Sequence, residues 1–317
     1  MKPVPSKRTH GRPNGLFGLA TLLVATCSVA PAGAADPSAG SSLDDTTTND
    51  GVAWEPQWRR VGWVEYVATP VVWGTTFTVH YVLTPHDHAD WDQAILFDTA
   101  LRDGMRFDSR SGRDRASMLS DIGLMTAMVY PFAVDAALVS WGVHGSPDVA
   151  WQLTVIDAQA FGMASLMSAI TKRTFARLRP YGTECDGASG DADLCDNEDR
   201  FRSFFSGHAG TTATSAGLTC AHHANLDLYG GDAGDAAACV GSIGLSLFTG
   251  AMRIAADKHW ATDVVVGSAV GFTTGYLMPT LLYYHDAPSP SADSAWRWTL
   301  VPEGSDTSAG VRWVGIF

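Results

Sequence analysis

Apolar and polar positions fall in blocks along this chain. Apolar segments of helical length run over 62–83, 118–142, 149–171, 208–224, 238–256 and 261–284, and polar loops separate them. Strict alternation is scarce within these segments, and Gly, Ala, Ser, Met and Leu are common. The pattern therefore predicts an all-α fold, a helical bundle of about six core helices. The segment 62–83 is the weakest helix candidate, because its Val, Thr and Tyr residues also suit a strand. Pro131 lacks an amide hydrogen and is expected to kink or end part of the second helix. The C-terminal region 287–317 has a different pattern. Trp296 to Val301, then Pro302-Glu303-Gly304, then Val311 to Val314 read as a small β-hairpin appended to the bundle.

The N-terminus changes the compartment. Lys2, Lys7, Arg8 and Arg12 precede a short apolar run from Leu16 to Ala30, and Ala32-Gly33-Ala34 follows. Residues 1–34 read as a signal peptide, with an uncleaved anchor helix as the alternative. Residues 35–60 follow as a flexible linker, and 61–286 form the main domain. The expected destination is the cell envelope, on the periplasmic side. Cys27 would leave with the signal. Cys185, Cys195, Cys220 and Cys239 remain as candidates for two local disulfides, which suits an oxidising compartment; spacing leaves the connectivity open.

Hydrophobic residues make up 46% of the chain and charged residues 17%, enough apolar material for a sizeable core. The net charge of −12 argues against nucleic acid as a partner, because a run of backbone phosphates could not be neutralised. A single phosphate group needs only local cations. Segments 238–256 and 261–284 are apolar enough to cross a bilayer. Asp121, Asp135 and Asp157 lie inside other segments, where lipid would make them costly. The basic loops would also face the cytoplasm if every segment crossed, against the signal peptide. The reading favoured is a periplasmic or peripherally attached bundle, with membrane insertion as the alternative.

Three clusters carry chemistry: Lys172 with Arg179-Pro180, Ser206-Gly207-His208, and Arg253 with His259 and Asp263. Lys172 and Arg179 are expected two turns apart on one helix face, as a clamp for a tetrahedral anion. Ser206-Gly207 before an apolar helix offers a hydroxyl and free backbone N–H groups at the positive end of the dipole. His208 beside that seat can hold a proton near neutral pH. Asp263, one turn after His259, is expected to accept from one ring nitrogen and leave the other free to attack. Taken singly, each cluster is more often a solvated helix face, a cap or a surface pair; the three together in this order are hard to read that way.

The order Lys-x6-Arg-Pro, Ser-Gly-His, Arg-x5-His-x3-Asp resembles the signature of the type 2 phosphatidic acid phosphatase superfamily. That superfamily also holds bacterial acid phosphatases and vanadium haloperoxidases. The resemblance covers roughly 116–284. It implies that Lys172, Arg179 and Arg253 bind phosphoryl oxygens, with Ser206 and the Gly207 backbone completing the cradle. It implies that His259 attacks phosphorus, that Asp263 orients it, and that His208 protonates the leaving oxygen. The expected activity is metal-independent hydrolysis of a phosphomonoester or pyrophosphate, on a phosphorylated lipid or a small phosphomonoester, with no cofactor. Vanadate would be a cofactor only under the haloperoxidase alternative. A non-catalytic envelope protein that binds anionic lipid or phosphate is the rival from another class. The chain departs from the family pattern at Phe205, where Pro is usual, and at Met252, where Ser is usual. Two further features carry less weight: the His86–Asp90 loop, read as a solvated turn rather than a metal site, and His222-His223, read as partners of a helix C-terminus.

Overall fold

The computed structural model describes residues 51–83, 86–185, 192–285, 297–305 and 308–316. The helices are α1 (Trp63–Phe77), α2 (Asp98–Met105), α3 (Arg110–Tyr130), α4 (Pro147–Phe175), α5 (Ala192–Cys195), α6 (Gly207–Asn225), α7 (Asp232–Ala255) and α8 (Ala261–Leu282). Wider π-helical turns extend α1 over Thr78–Val82 and α3 over Pro131–Val143. The six long helices α1, α3, α4, α6, α7 and α8 correspond to the six predicted segments. The expected signal peptide lies outside the described residues.

Local chemistry sets several boundaries. Ser109 caps α3 by accepting from the Gly112 amide. Pro147 opens α4, where its missing N–H has no intrahelical role. Pro131 does not end its helix but changes its winding. It cannot donate to the Ala127 carbonyl, and the Ser215 hydroxyl of α6 donates there instead, at 2.7 Å.

Helix α6 is central, buried almost all round from Ala209 to His223. Helix α8 lies directly on it through Gly267, Gly271 and Gly275. A Cβ at Gly267 would stand 2.6 Å from the Ser206 carbonyl, one at Gly271 2.0 Å from that of Gly210, and one at Gly275 2.1 Å from that of Thr214. Only hydrogen fits between the backbones there. Both sets of partners rise in the same direction, so α6 and α8 run parallel. Their N-termini therefore meet at one end, and the Ser206 amide donates to the Asp263 carbonyl at 3.1 Å.

Several expectations need correction. The linker does not extend to residue 60 as a flexible segment: Trp54 is buried, its ring meeting Trp58 edge-on and Tyr284 at a tilt. At the C-terminus, β1 (Arg297–Ser305) pairs antiparallel with β2 (Ser308–Ile316). Pro302-Glu303-Gly304 lies within β1 and not in a turn. The two local disulfides, by contrast, form as expected: Cys185 is bonded to Cys195, and Cys220 to Cys239, the second bridge joining α6 to α7.

The stretches Arg110–Val143, Pro147–Phe175, Asp232–Ala255 and Ala261–Leu282 are long and apolar enough to cross a membrane. Val67, Met125, Trp141, Val240, Leu247 and Leu281 are exposed on the bundle's outer face. The acidic residues that argued against lipid do not all face it. Asp135 and Asp157 are fully buried, bonded to Tyr229 and His222. His222 and His223 are likewise not simple helix-end partners. His222 also meets the Tyr284 hydroxyl at 2.6 Å, and His223 meets Asp235 at 2.5 Å, in an interior polar network.

Candidate active site at one end of the bundle

The parallel packing of α6 and α8, with α4 and α7 running the other way, gathers four helix ends. The last turn of α4 carries Lys172, and the last turn of α7 carries Arg253. The first turn of α6 carries His208, and His259 stands two residues before α8, next to its N-cap Trp260. A Cβ on Gly207 would lie 3.0 Å from Lys172 Nζ and 3.4 Å from Ser168 Oγ. The absent side chain thus lets the lysine reach the α6 N-terminus. Ser206 caps that helix, its hydroxyl accepting weakly from the Ala209 amide at 3.4 Å.

His259 is buried, and its Nδ1 lies 2.9 Å from the Ser203 carbonyl oxygen. A carbonyl can only accept, so Nδ1 carries the proton and Nε2 keeps its lone pair. The expected contact from Asp263 is not made: its Oδ2 stands 3.7 Å from Nδ1. Asp263 is taken up by other donors. Ser203 Oγ donates to it at 2.5 Å, the Trp260 amide at 2.9 Å, and Arg177 Nη1 at 2.6 Å. Its hold on the imidazole therefore passes through Ser203. Burial, then the positive charges of Arg179, Arg253 and Lys172, keep His259 well below the usual histidine pKa.

Arg177, unremarked in the sequence, is the buried hinge of this end. It is 0% exposed, pairs with Asp98 at 2.6 Å as well as with Asp263, and stacks 3.9 Å from the centre of the Trp91 ring. Helix α4 ends at Phe175, and Ala176 takes a left-handed conformation at φ 37°. Lys172 and Arg179 therefore do not share a helix face as expected. Arg179 reaches the site from an extended residue after the break, its amide bonded to the Arg200 carbonyl at 2.7 Å.

Arg179 and Arg253 are 6% and 5% exposed. Arg179 pairs with Asp199 at 2.8 Å, and Arg253 donates to Ser120 Oγ at 3.1 Å. Ser120, on α3, brings a hydroxyl to the arginine that follows Met252. Each arginine keeps a buried Nε–H with no partner among the described residues. Burial would raise the pKa of Asp199, but Arg179 and Lys172 outweigh it and hold the carboxyl below its usual range.

His208 donates from Nε2 to Asp121 at 2.8 Å. Burial first, then Arg253, push its pKa down to about 4, against the raising pull of Asp121. Asp121 also stands 3.6 Å from Arg253. The sequence reading missed Asp121, Ser203 and Arg177 as site residues. An acid in the middle of an apolar segment, and a second arginine two positions before Arg179, were the available signals.

His86, His88 and Asp90 bring three potential ligand atoms within 4.8 Å of one another, an arrangement that could hold a metal ion. None of the clustered site residues belongs to it. A separate cleft of about 270 Å3 lies along α3, α6 and α7, lined by Thr126, Tyr130, Ser215, Gly241 and Leu245 among others.

Comparison with known proteins bears on the same stretch of the chain. Residues 154–286 match the family model of the PAP2 superfamily, a stretch that includes Lys172, Arg179, Ser206, His208, Arg253, His259 and Asp263. A lipid A 1-phosphatase of Porphyromonas gingivalis is 27% identical over 151 residues, which are 48% of this chain and 28% of that protein. No solved structure matches.

Proposed function

Since residues 154–286 belong to the PAP2 superfamily, we propose that this chain is a membrane-associated phosphatase of phosphorylated lipids that works through a phosphohistidine. The observation that carries the reading is the pair of buried guanidiniums, Arg179 and Arg253, each with an unpartnered Nε–H, beside a neutral His259. Buried donors left unpaired are costly, and a tetrahedral anion would satisfy them.

In the proposed reaction, Lys172, Arg179 and Arg253 hold the phosphoryl oxygens, with Ser206 and the Gly207 backbone beside them. His259 Nε2 attacks phosphorus, and the bond from phosphorus to the ester oxygen breaks. Protonated His208 gives its proton to that oxygen, releasing the alcohol. Water then loses a proton to His208 and attacks phosphorus, and the bond from phosphorus to His259 Nε2 breaks. Inorganic phosphate leaves, and His259 returns to its starting form. A bound phosphate dianion adds negative charge beside His208 and raises its proton affinity from the low value of the free site. Asp121 supports that protonated form, and Asp263 positions His259 through Ser203.

The apolar outer face and the four long apolar helices support insertion in a bilayer, with the cluster at one end of the bundle. The name of the P. gingivalis relative supports a lipid substrate. A phosphate-release panel tests the reading: lipid A, phosphatidic acid and p-nitrophenyl phosphate, with EDTA present. Release from at least one phospholipid by the wild type, abolished in His259→Ala, is the expected result. Release unaffected by His259→Ala, or lost on chelation, would oppose it.

A further inference from the structure

Among the cations near this site, most have carboxylate partners. Arg177 has Asp98 and Asp263, Arg179 has Asp199, and Arg102 and Arg106 share Asp257 and Glu184. Lys172 belongs to the proposed cradle. Lys258 is different: its ammonium has no hydrogen bond or ion pair among the described residues, although the residue is half-buried. It feels the charges of Arg179 and Arg253, and the carboxylates of Asp199 and Asp114 lie near enough to act on it without pairing.

The turn that aims Lys258 is firmly built. Asp257 takes a left-handed conformation at φ 60°, a costly state for a residue with a side chain. Its carboxylate is held by Arg102 at 2.7 and 2.8 Å and by Arg106 at 2.9 Å. Its carbonyl accepts from the Tyr181 amide, and the Lys258 amide donates to the Arg253 carbonyl. The ammonium then stands 5.1 Å from the centre of the Tyr181 ring. Tyr181 lies two residues after Arg179, and Lys258 immediately precedes His259. Lys258 is thus a further cation near Arg179 and Arg253, set by a rigid turn and left without an ion-pair partner among the described residues.

We propose that Lys258, with Tyr181 beneath it, is a second anion subsite, one that selects substrates carrying two phosphoryl groups joined through one oxygen. This rests on the phosphatase reading. The phosphoryl group to be transferred occupies the cradle, and the neighbouring one meets Lys258. A diphosphate would then be preferred to the monophosphate of the same alcohol. An apolar-tailed diphosphate and a nucleoside diphosphate share this chemistry.

Calorimetric titration of the detergent-solubilised full chain with inorganic pyrophosphate and with orthophosphate tests the subsite without turnover, using His259→Ala as the inert background. Pyrophosphate is expected to bind at least about tenfold more tightly than orthophosphate, the worth of one charge-assisted contact. Adding Lys258→Met should remove that advantage while orthophosphate affinity stays within about twofold, which also reports an intact cradle. Lys258→Arg should keep most of it. Equal weakening of both ions by Lys258→Met, or no change in either, would overturn the subsite and leave the phosphatase reading standing. Failure of both ions to bind would overturn both. In the active protein, kcat/KM for geranyl diphosphate and for a nucleoside diphosphate identifies the source. A Lys258→Met loss confined to one of them names that class, and a loss on neither counts against the subsite.

Discussion

The Nδ1–H of His259 donates a hydrogen bond to the carbonyl oxygen of Ser203 at 2.9 Å, while the carboxylate of Asp263 stands off at 3.7 Å. A backbone carbonyl does not titrate, so the tautomer is fixed at any pH at which the fold persists. The carboxylate acts one step back, holding Ser203 and Arg177. Ser203→Ala should therefore lower kcat about tenfold with little change in KM, because it loosens the imidazole without touching the phosphate donors. Steady-state kinetics on one lipid substrate check this. A rise in KM alone would contradict it.

Arg177 joins Asp98 to Asp263 in full burial. Arg177→Gln leaves two carboxylates without their cation, at a cost of about 3–5 kcal/mol for breaking such a pair. The expected outcome is a large drop in thermal midpoint, or failure to accumulate folded protein. The midpoint of the purified variant in detergent is the measurement.

The proton on His208 governs the alkaline limb of activity. The folded-state pKa is depressed to about 4, and Asp121 is the group that opposes the depression. The acid form is the one that protonates the leaving group, so kcat/KM should fall as pH rises through this pKa. Asp121→Asn removes the raising contact and should shift that limb toward lower pH by up to about one unit, or about 1.4 kcal/mol. A shift to higher pH would be the wrong sign.

His259, which is buried, and His208, which is partly buried, both have lowered pKa values, and this makes stability depend on pH. Their neutral forms are favoured in the folded state, and the unfolded chain takes up protons first as pH falls below the usual histidine value of 6.5. Their contribution is present above that value and is lost on acidification. The thermal midpoint should fall between pH 7 and pH 5, and inorganic phosphate should offset part of the fall by binding only the folded cradle.

The parallel contact of α6 and α8 is testable with methyl groups. Gly271→Ala places a Cβ 2.0 Å from the Gly210 carbonyl and should destabilise by about 1–3 kcal/mol. Gly244→Ala, on α7 with open space around it, should do the opposite and gain up to about 1 kcal/mol from helix propensity. Paired melting curves compare the two.

The helices and the motif residues were legible because each rests on local pattern: apolar blocks, a Ser-Gly helix start, a cation in a last helical turn. What stayed hidden depends on long-range meetings. His208 and Asp121 are 87 residues apart, and Arg177 and Asp263 are 86 apart. The shared helix face for Lys172 and Arg179 failed because Ala176 breaks α4 in a left-handed conformation before Arg179 is reached. The direct Asp263–His259 bond failed because nearer donors claim the carboxylate. Asp135 and Asp157 argued against lipid only while their partners in the bundle interior were unseen.

The central claim is that phosphorus passes through the Nε2 of His259. Rapid acid-free quenching of the enzyme during turnover of a 32P-labelled phospholipid, followed by peptide mapping, tests it most directly. The account predicts protein-bound label that survives alkali, is lost in acid, maps to the peptide holding His259, and is absent from His259→Ala. Steady turnover with no label on the protein at any quench time, or label that persists in His259→Ala, would contradict it.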